Sequence, residues 1–273
     1  MRWLFGRKPA ETAAPKILRL AGFPAAIYAI GDIHGCLSLF QKLEEAIIVD
    51  SAALPGRKLI VCLGDVIDRG PDSAGVVARL LDPAPVGFDR VTLRGNHEQM
   101  FEQFLTAPAR NLRWLHYGGA ETLRSYAITP ESDAGFEADG ALLSHKVRTA
   151  IPAAHRAFLA ALPCGLEVGR YRFAHAGYDL GTPAARQSQE RLLWGPPEMA
   201  DHSASDQVLV HGHTPVDQTL VTPRRINTDL GAYLSGQLGA VRLMPDGSAP
   251  KVFSVSQTNT AAPAAAAFQD IEE

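Results

Sequence analysis

Three apolar runs in the first hundred residues each end in a glycine-rich polar turn, and the turns recur at nearly equal intervals. Ile27-Tyr28-Ala29-Ile30 leads into Gly31-Asp32-Ile33-His34-Gly35. Leu59-Ile60-Val61-Cys62-Leu63 leads into Gly64-Asp65-Val66-Ile67-Asp68-Arg69-Gly70. Arg90-Val91-Thr92-Leu93 leads into Arg94-Gly95-Asn96-His97-Glu98. Asp65 follows Asp32 by 33 residues and Asn96 follows Asp65 by 31, each about one β-α-β unit (~30 residues). The intervening segments carry apolar residues at helical spacing: Leu39, Leu43, Ala46 and Ile47 within 38–49, then Val76, Val77, Leu80 and Leu81 within 73–81. A third such segment, from Glu98 to Leu105, follows the last turn. Strands alternating with helices imply a parallel sheet. All three polar turns are then expected at one carboxyl edge, where open α/β sheets bind ligands.

The remainder of the chain reads less regularly. Residues 1–25, with Pro9, Pro15 and Pro24, read as a loosely held arm, and 26–256 as a single domain. Within it, 106–165 reads as a helical insertion or cap, with Trp114, a Tyr117-Gly118-Gly119 turn and a polar patch at 131–133. From Glu167 the pattern turns to short strands, expected to form a second, largely antiparallel sheet that includes 238–243 and 252–255. Residues 257–273, rich in Thr, Ala and Pro, are expected to be disordered.

Composition excludes several partners. The 273 residues carry a net charge of −3, which disfavours a nucleic-acid polymer or an anionic membrane as partner. Three dispersed cysteines, Cys36, Cys62 and Cys164, give no disulfide or zinc-ribbon spacing; Cys36 reads as a small packed residue. No run approaches the ~20 apolar residues of a membrane helix, so no stable membrane insertion is expected. Arg7 and Lys8 interrupt the N-terminal apolar residues too early for a secretory leader. A cytoplasmic location is expected.

Two further histidine motifs end apolar strands: Ala174-His175-Ala176-Gly177 and Val210-His211-Gly212-His213-Thr214-Pro215. The collected strand-end groups are Asp32, His34, Asp65, Asn96, His175 and His213. Carboxylate, imidazole and amide oxygen together suit Mn²⁺, Fe²⁺ or Zn²⁺, and the lack of cysteine disfavours a structural zinc. A pair of such ions fits two-metal hydrolysis.

The five motifs, in this order, resemble the signatures of the phosphoprotein phosphatase family of the calcineurin-like metallophosphoesterases. The resemblance runs from about Tyr28 to Leu243, and its nearest style is that of small bacterial serine/threonine phosphatases and symmetrical diadenosine tetraphosphatases. It implies a four-layer α/β/β/α sandwich with a β-α-β-α-β motif and a dinuclear metal site at the carboxyl ends of the strands. Two divalent ions, manganese by expectation, would be held by Asp32 and His34, by Asp65 as bridge, and by Asn96, His175 and His213. His97 would be the general acid with Asp68 as its partner. Arg69 and Arg94 would clamp the phosphoryl group with help from Asn96. The implied reaction is direct attack by a metal-bridging hydroxide, without a phosphoenzyme. One departure stands out: after Leu192-Leu193-Trp194-Gly195 comes Pro196, where relatives carry a phosphate-binding arginine, so Arg191 or Arg186 becomes a candidate replacement. His211 is read as a neighbour, and His116, His145, His155 and His202 as surface or cap residues.

The expected substrate is a phosphorylated protein or a small phosphate ester. The alternative is a dinucleoside polyphosphate, whose base Arg110, Arg113, Trp114 or Tyr117 could stack, although the same residues read equally well as core or surface. A non-catalytic metal-binding scaffold is the third reading, disfavoured by an intact His97, Asp68 and Arg69.

Overall fold

Side-chain alternation along the strands decides how two sheets meet. The computed structural model describes residues 14–129 and 140–257. Its strands, numbered along the chain, are β1 (Ile17–Leu20), β2 (Ile27–Ile30), β3 (Lys58–Cys62), β4 (Phe88–Thr92), β5 (Gly165–Val168), β6 (Tyr171–Ala174), β7 (Val208–His211), β8 (Leu220–Val221), β9 (Arg225–Asn227), β10 (Gln237–Leu243) and β11 (Lys251–Ser256). One sheet has the order β11-β10-β2-β3-β4, the other β1-β5-β6-β7-β9-β8.

In β2, Ile27 and Ala29 point into the gap between the sheets, where they join Leu59, Val61, Leu166, Phe173, Val210 and Val241. Tyr28 and Ile30 point the other way and join Ile60, Leu39, Leu43, Val76 and Phe101 under the helices. The period of two thus fills two layers from one strand. Those helices are α1 (Leu37–Ser51), α2 (Ser73–Leu81) and α3 (Asn96–Thr106), with α4 (Ala120–Ser125), α5 (Gly140–Ala150) and α6 (Ala153–Ala161) following. Beyond the second sheet, Leu192 of α7 (Gln189–Trp194) packs with Leu209, Ala174 and Tyr178. The result is the α/β/β/α sandwich expected.

The β2-β3-β4 triple is parallel throughout, with Ile30 beside Cys62 and Cys62 beside Thr92. In the second sheet β6, β7 and β9 are also mutually parallel. Six parallel strand ends therefore open toward one edge, carrying Asp32 and His34, Asp65, Asn96 and His97, His175, His213 and Asp229 in turn.

Three sequence expectations are corrected. The second sheet is mixed rather than largely antiparallel: β1-β5, β6-β7 and β7-β9 pair in parallel, β5-β6 and β8-β9 antiparallel. Strands 237–243 and 251–256 belong to the first sheet, where β10 pairs antiparallel with β2 and β11. Residues 17–20 of the expected arm form β1, paired with β5 and held by the Arg19–Glu167 ion pair at 2.6 Å. Most of that arm, the 131–133 patch and the 258–273 tail lie outside the described residues.

Candidate metal and phosphate site

Strained backbone marks the site. Among the described residues, His34, Asp65, Asp68, Arg69 and His213 adopt φ between 43° and 72°, a region that L-residues with side chains avoid. Only Ala127 joins them outside the site. Such strain persists where surrounding contacts over-determine the conformation, and here they do. The Glu98 carboxylate accepts from the N–H groups of Gly95 (2.7 Å), Asp65 (2.9 Å) and Val66 (2.9 Å), and more weakly from Ile67 (3.4 Å). One buried side chain thereby staples the start of α3, which carries Asn96 and His97, to the turn that carries Asp65. Burial and the charge of Asp65 raise the Glu98 pKa to about 7, against the pull of the Gly95 N–H. Glu98→Gln presents an NH₂ to several N–H donors, so a loss of roughly 1–3 kcal/mol is expected. A denaturant titration of the metal-free protein measures it; an unchanged midpoint would exclude the staple.

Asp65 is the centre of the cluster. Its Oδ1 accepts from the His97 N–H at 3.0 Å. Its Oδ2 faces His175 Nε2 at 3.3 Å, His34 Nε2 at 3.6 Å and His97 Nε2 at 3.8 Å. Gly95 has to be glycine, because a Cβ there would lie 2.0 Å from Asp65 Oδ1. The His34 and His175 rings are oriented from behind: Nδ1 of each donates to a carbonyl, Ile67 O at 2.8 Å and Leu63 O at 3.1 Å. Their Nε2 lone pairs are left pointing at the cluster, as metal ligands require. His175 Nε2 also lies 2.7 Å from Asn96 Oδ1, which is 3.1 Å from His213 Nδ1. Donor atoms this close need a proton or a metal cation between them. Two donor groups satisfy that geometry: His34 with Asp65 and His97, and Asp65 with His175 and His213. The residues present therefore fit a metal pair.

Electrostatics divide each group between one neutral and one cation-favouring ring. Burial lowers His34 to about 3 and His213 to about 4, keeping both rings neutral. Burial acts likewise on His175, but the carboxylates of Asp65 and Asp32 outweigh it and raise the ring to about 10. His97 is also raised, with Asp65 and Asp68 overcoming its burial.

Asp32 sits across from His213, whose N–H reaches both its oxygens at 3.2 and 3.1 Å. It lies outside the two tight donor groups. A Cβ on Gly212 would come within 2.0 Å of it, so the glycine between His211 and His213 is a steric requirement. His211 itself is buried, with Nδ1 on the Gly212 carbonyl at 2.8 Å and Nε2 unpaired.

Of the expected phosphate arginines, Arg69 borders the cluster. Its guanidinium donates to the Tyr233 hydroxyl at 2.8 Å, and the Tyr233 ring stands edge-on to His34 at 5.2 Å. Arg94 is buried with Nη2 paired to Glu102, so a phosphate there would have to share that pair. Arg191 lies against Gly177, two residues past His175. It is engaged by Asp179 and the Pro196 carbonyl, both at 2.8 Å. Arg186 is exposed.

Sequence reasoning missed Asp229, which is buried after β9 and held by the Gly231 N–H at 2.8 Å. Its position just past an apolar strand and two residues before a glycine was the available signal. Of the two readings open for Trp114, base platform or core, the structure gives the core: it is buried and donates to Asp68 at 2.7 Å. Arg110, Arg113 and Tyr117 are exposed, as are His116, His145 and His202, while His155 bonds Tyr126 at 2.8 Å. Cys36 is buried, as expected.

The profile of the family described as calcineurin-like phosphoesterase matches residues 25–238, a span that holds the whole cluster. The chain belongs to this family. This phosphoesterase is 30% identical over 226 residues to serine/threonine-protein phosphatase 1 of Salmonella typhimurium, covering 80% of the chain and 91% of that protein. It is also 30% identical over 237 residues to an asymmetrical bis(5'-nucleosyl)-tetraphosphatase of Geobacillus sp., covering 78% and 88%. A symmetrical tetraphosphatase of Acidovorax sp. matches at 31% over a shorter stretch, 37% of the chain and 43% of that protein. A crystal structure provisionally described as a diadenosine tetraphosphatase superposes with a TM-score of 0.60 at 22% identity, covering 90% of the chain and 99% of its own, and establishes the shared fold. This phosphoesterase is thus a hydrolase of phosphate esters, from a family that uses divalent metal ions. No helix among its described residues is long and apolar enough to cross a membrane.

Proposed function

We propose that this phosphoesterase is a serine/threonine protein phosphatase acting on phosphomonoesters in the cytoplasm, with two divalent ions, manganese by preference. Asp32, His34 and Asp65 would hold one ion; Asp65, Asn96, His175 and His213 the other. When bound, the ions supply the charge that activates water and neutralises phosphoryl oxygens. Arg69 binds the phosphoryl group, with Arg94 and Asn96 beside it. His97 holds a proton on Nε2 and delivers it to the departing oxygen.

The observation that carries this reading is the buried contact of 2.7 Å between His97 Nδ1 and Asp68 Oδ2. A serine or threonine alkoxide is a poor leaving group and needs a proton from a positioned acid. A departing nucleotide phosphate is already a stable anion and needs one far less. The buried Trp114 also removes one of the four base-stacking candidates.

The second reading, dinucleoside polyphosphate hydrolysis, keeps support from the Geobacillus relative. It also has Trp194, 39% exposed and edge-on to His213 at 6.2 Å, as a surface for a base. Manganese-loaded protein assayed side by side on phosphoserine and phosphothreonine peptides and on diadenosine tetraphosphate separates the two. The peptides are expected to give the higher kcat/KM; turnover of the dinucleotide faster by orders of magnitude would overturn the proposal. Activity on neither, nor on an aryl phosphate, would favour the scaffold.

A further inference from the structure

The helical insertion carries a nine-residue stretch, Trp114 to Thr122, that supplies none of the proposed metal ligands yet touches both functional residues of the Asp68–Arg69 turn. We propose that Trp114 and Thr122 are positioning residues for proton delivery, holding Asp68 so that it presents His97 to the leaving group, while Gly118 seats Arg69 beside it. The proposal rests on the reading of His97 as the acid.

Asp68 is fully buried and every polar atom of it is engaged. Oδ2 accepts from His97 Nδ1 and from Trp114 Nε1, both at 2.7 Å. Oδ1 accepts from the Thr122 hydroxyl at 2.6 Å. Its own N–H reaches Thr122 Oγ1 at 2.9 Å and Ser73 Oγ at 3.0 Å. Three donors from three elements thus converge on its two oxygens and fix its rotamer. Thr122 grips Asp68 at both ends, backbone and side chain, and so resists relaxation of the φ of 72°.

The next residue is held from the same stretch. Arg69 N–H donates to the Gly118 carbonyl at 3.1 Å. Gly118 has φ 103°, and a Cβ on it would fall 2.5 Å from Arg69 N and 2.6 Å from Arg69 Cγ. Gly119 is pressed against the indole, where a Cβ would stand 2.3 Å from the ring of Trp114. The two glycines therefore let the insertion approach the turn at backbone distance, and the indole reaches the carboxylate as a consequence.

Packing alone does not account for this arrangement. The Trp114 ring lies among Phe104 at 4.6 Å and Phe101 at 5.4 Å, an apolar nest that a phenylalanine would fill. Its N–H is a buried polar group that requires a partner, and the partner is the carboxylate behind the acid. Removing that N–H, or the Thr122 hydroxyl, leaves Asp68 with one donor fewer. The carboxylate then turns toward its remaining donors, and His97 with it.

The test uses the metal-loaded full chain and a series of phosphomonoesters whose leaving groups run from a nitrophenol to a simple alcohol. Trp114→Phe and Thr122→Val are each expected to lower kcat on the alkyl ester by about tenfold, part of the 10²–10⁴ a general acid contributes. On the nitrophenyl ester the expected change is about twofold or less, since that leaving group needs little protonation. KM and metal content stay as in the parent, and Thr122→Ser restores the alkyl rate. Thr122→Val carries the test should Trp114→Phe fail to fold. Equal losses on all esters, a loss of bound metal, or no loss at all would each overturn the proposal. His97→Asn, run beside them, separates this from the underlying reading: if it shows no leaving-group dependence the acid assignment falls, whereas if it does and the two variants do not, only the positioning role falls.

Discussion

Asp65→Asn is expected to cut the metal content from two ions per chain to one or none, and kcat by at least about a thousandfold, as loss of an ion pair that activates the nucleophile would. The substitution is nearly isosteric, so its effect isolates charge from shape. An asparagine can keep its carbonyl on the His97 N–H, where Asp65 Oδ1 now accepts at 3.0 Å. Its NH₂ then replaces Oδ2, the atom shared by His175 at 3.3 Å and His34 at 3.6 Å. That position loses its lone pairs and its negative charge together. No other carboxylate takes it over: Asp32 is held by the His213 N–H, and Glu98 is occupied by backbone donors. Elemental analysis after dialysis, with kinetics on an aryl phosphate, checks both parts. A variant that retains two ions and activity within tenfold of the parent would remove Asp65 from the bridging position.

Asp65 could be singled out from sequence because the motif that carries it is local, although its partners are not. β2 and β3 are apolar runs buried on both faces, as strands in the middle of a covered parallel sheet are; β4, at the sheet edge, is only partly buried, and each polar turn follows its strand directly. The parallel triple and the strand-end positions of Asp32, Asp65 and Asn96 follow from segments of a few residues repeated about thirty apart, and the resemblance added the ligand roles, those of His175 and His213 included. What sequence reading missed depends on partners far along the chain. β1 is four residues between prolines, and only its pairing with β5, near residue 165, makes it a strand. β10 reads as any half-buried strand; pairing with β2 rather than with β9 sets its sheet. Trp114 lies 46 residues from Asp68 and Thr122 lies 54, so neither could be attached to the site by spacing. A tryptophan in a helical segment reads equally as core or as a stacking surface, and the hydrogen bond of its N–H decides between them.

His97 carries the second large effect, and its geometry admits two roles that predict different outcomes. Its Nε2 stands with His34 and Asp65 in a group compact enough to hold an ion. Its Nδ1 contacts the Asp68 carboxylate, a partner also found behind metal-bound histidines. The comparison with the ring-fixing partners of its neighbours favours the acid. His34 and His175 donate to neutral carbonyls, Ile67 O and Leu63 O, which orient a ring without favouring its charged form. His97 alone among these donates to a carboxylate, and Asp65 and Asp68 together raise its pKa against burial, so a proton on Nε2 is retained to higher pH. Its distance of 3.8 Å from Asp65 Oδ2 is also the longest of the three histidines. His97→Asn is therefore expected to keep both ions and to lose about 10²–10⁴ in kcat on a phosphoserine peptide. The loss on nitrophenyl phosphate should be far smaller, because that leaving group departs as a stable anion. A ligand role predicts the reverse pattern: one ion lost, and equal losses on both substrates. Metal stoichiometry and the ratio of the two rates, measured on the same preparation, distinguish them.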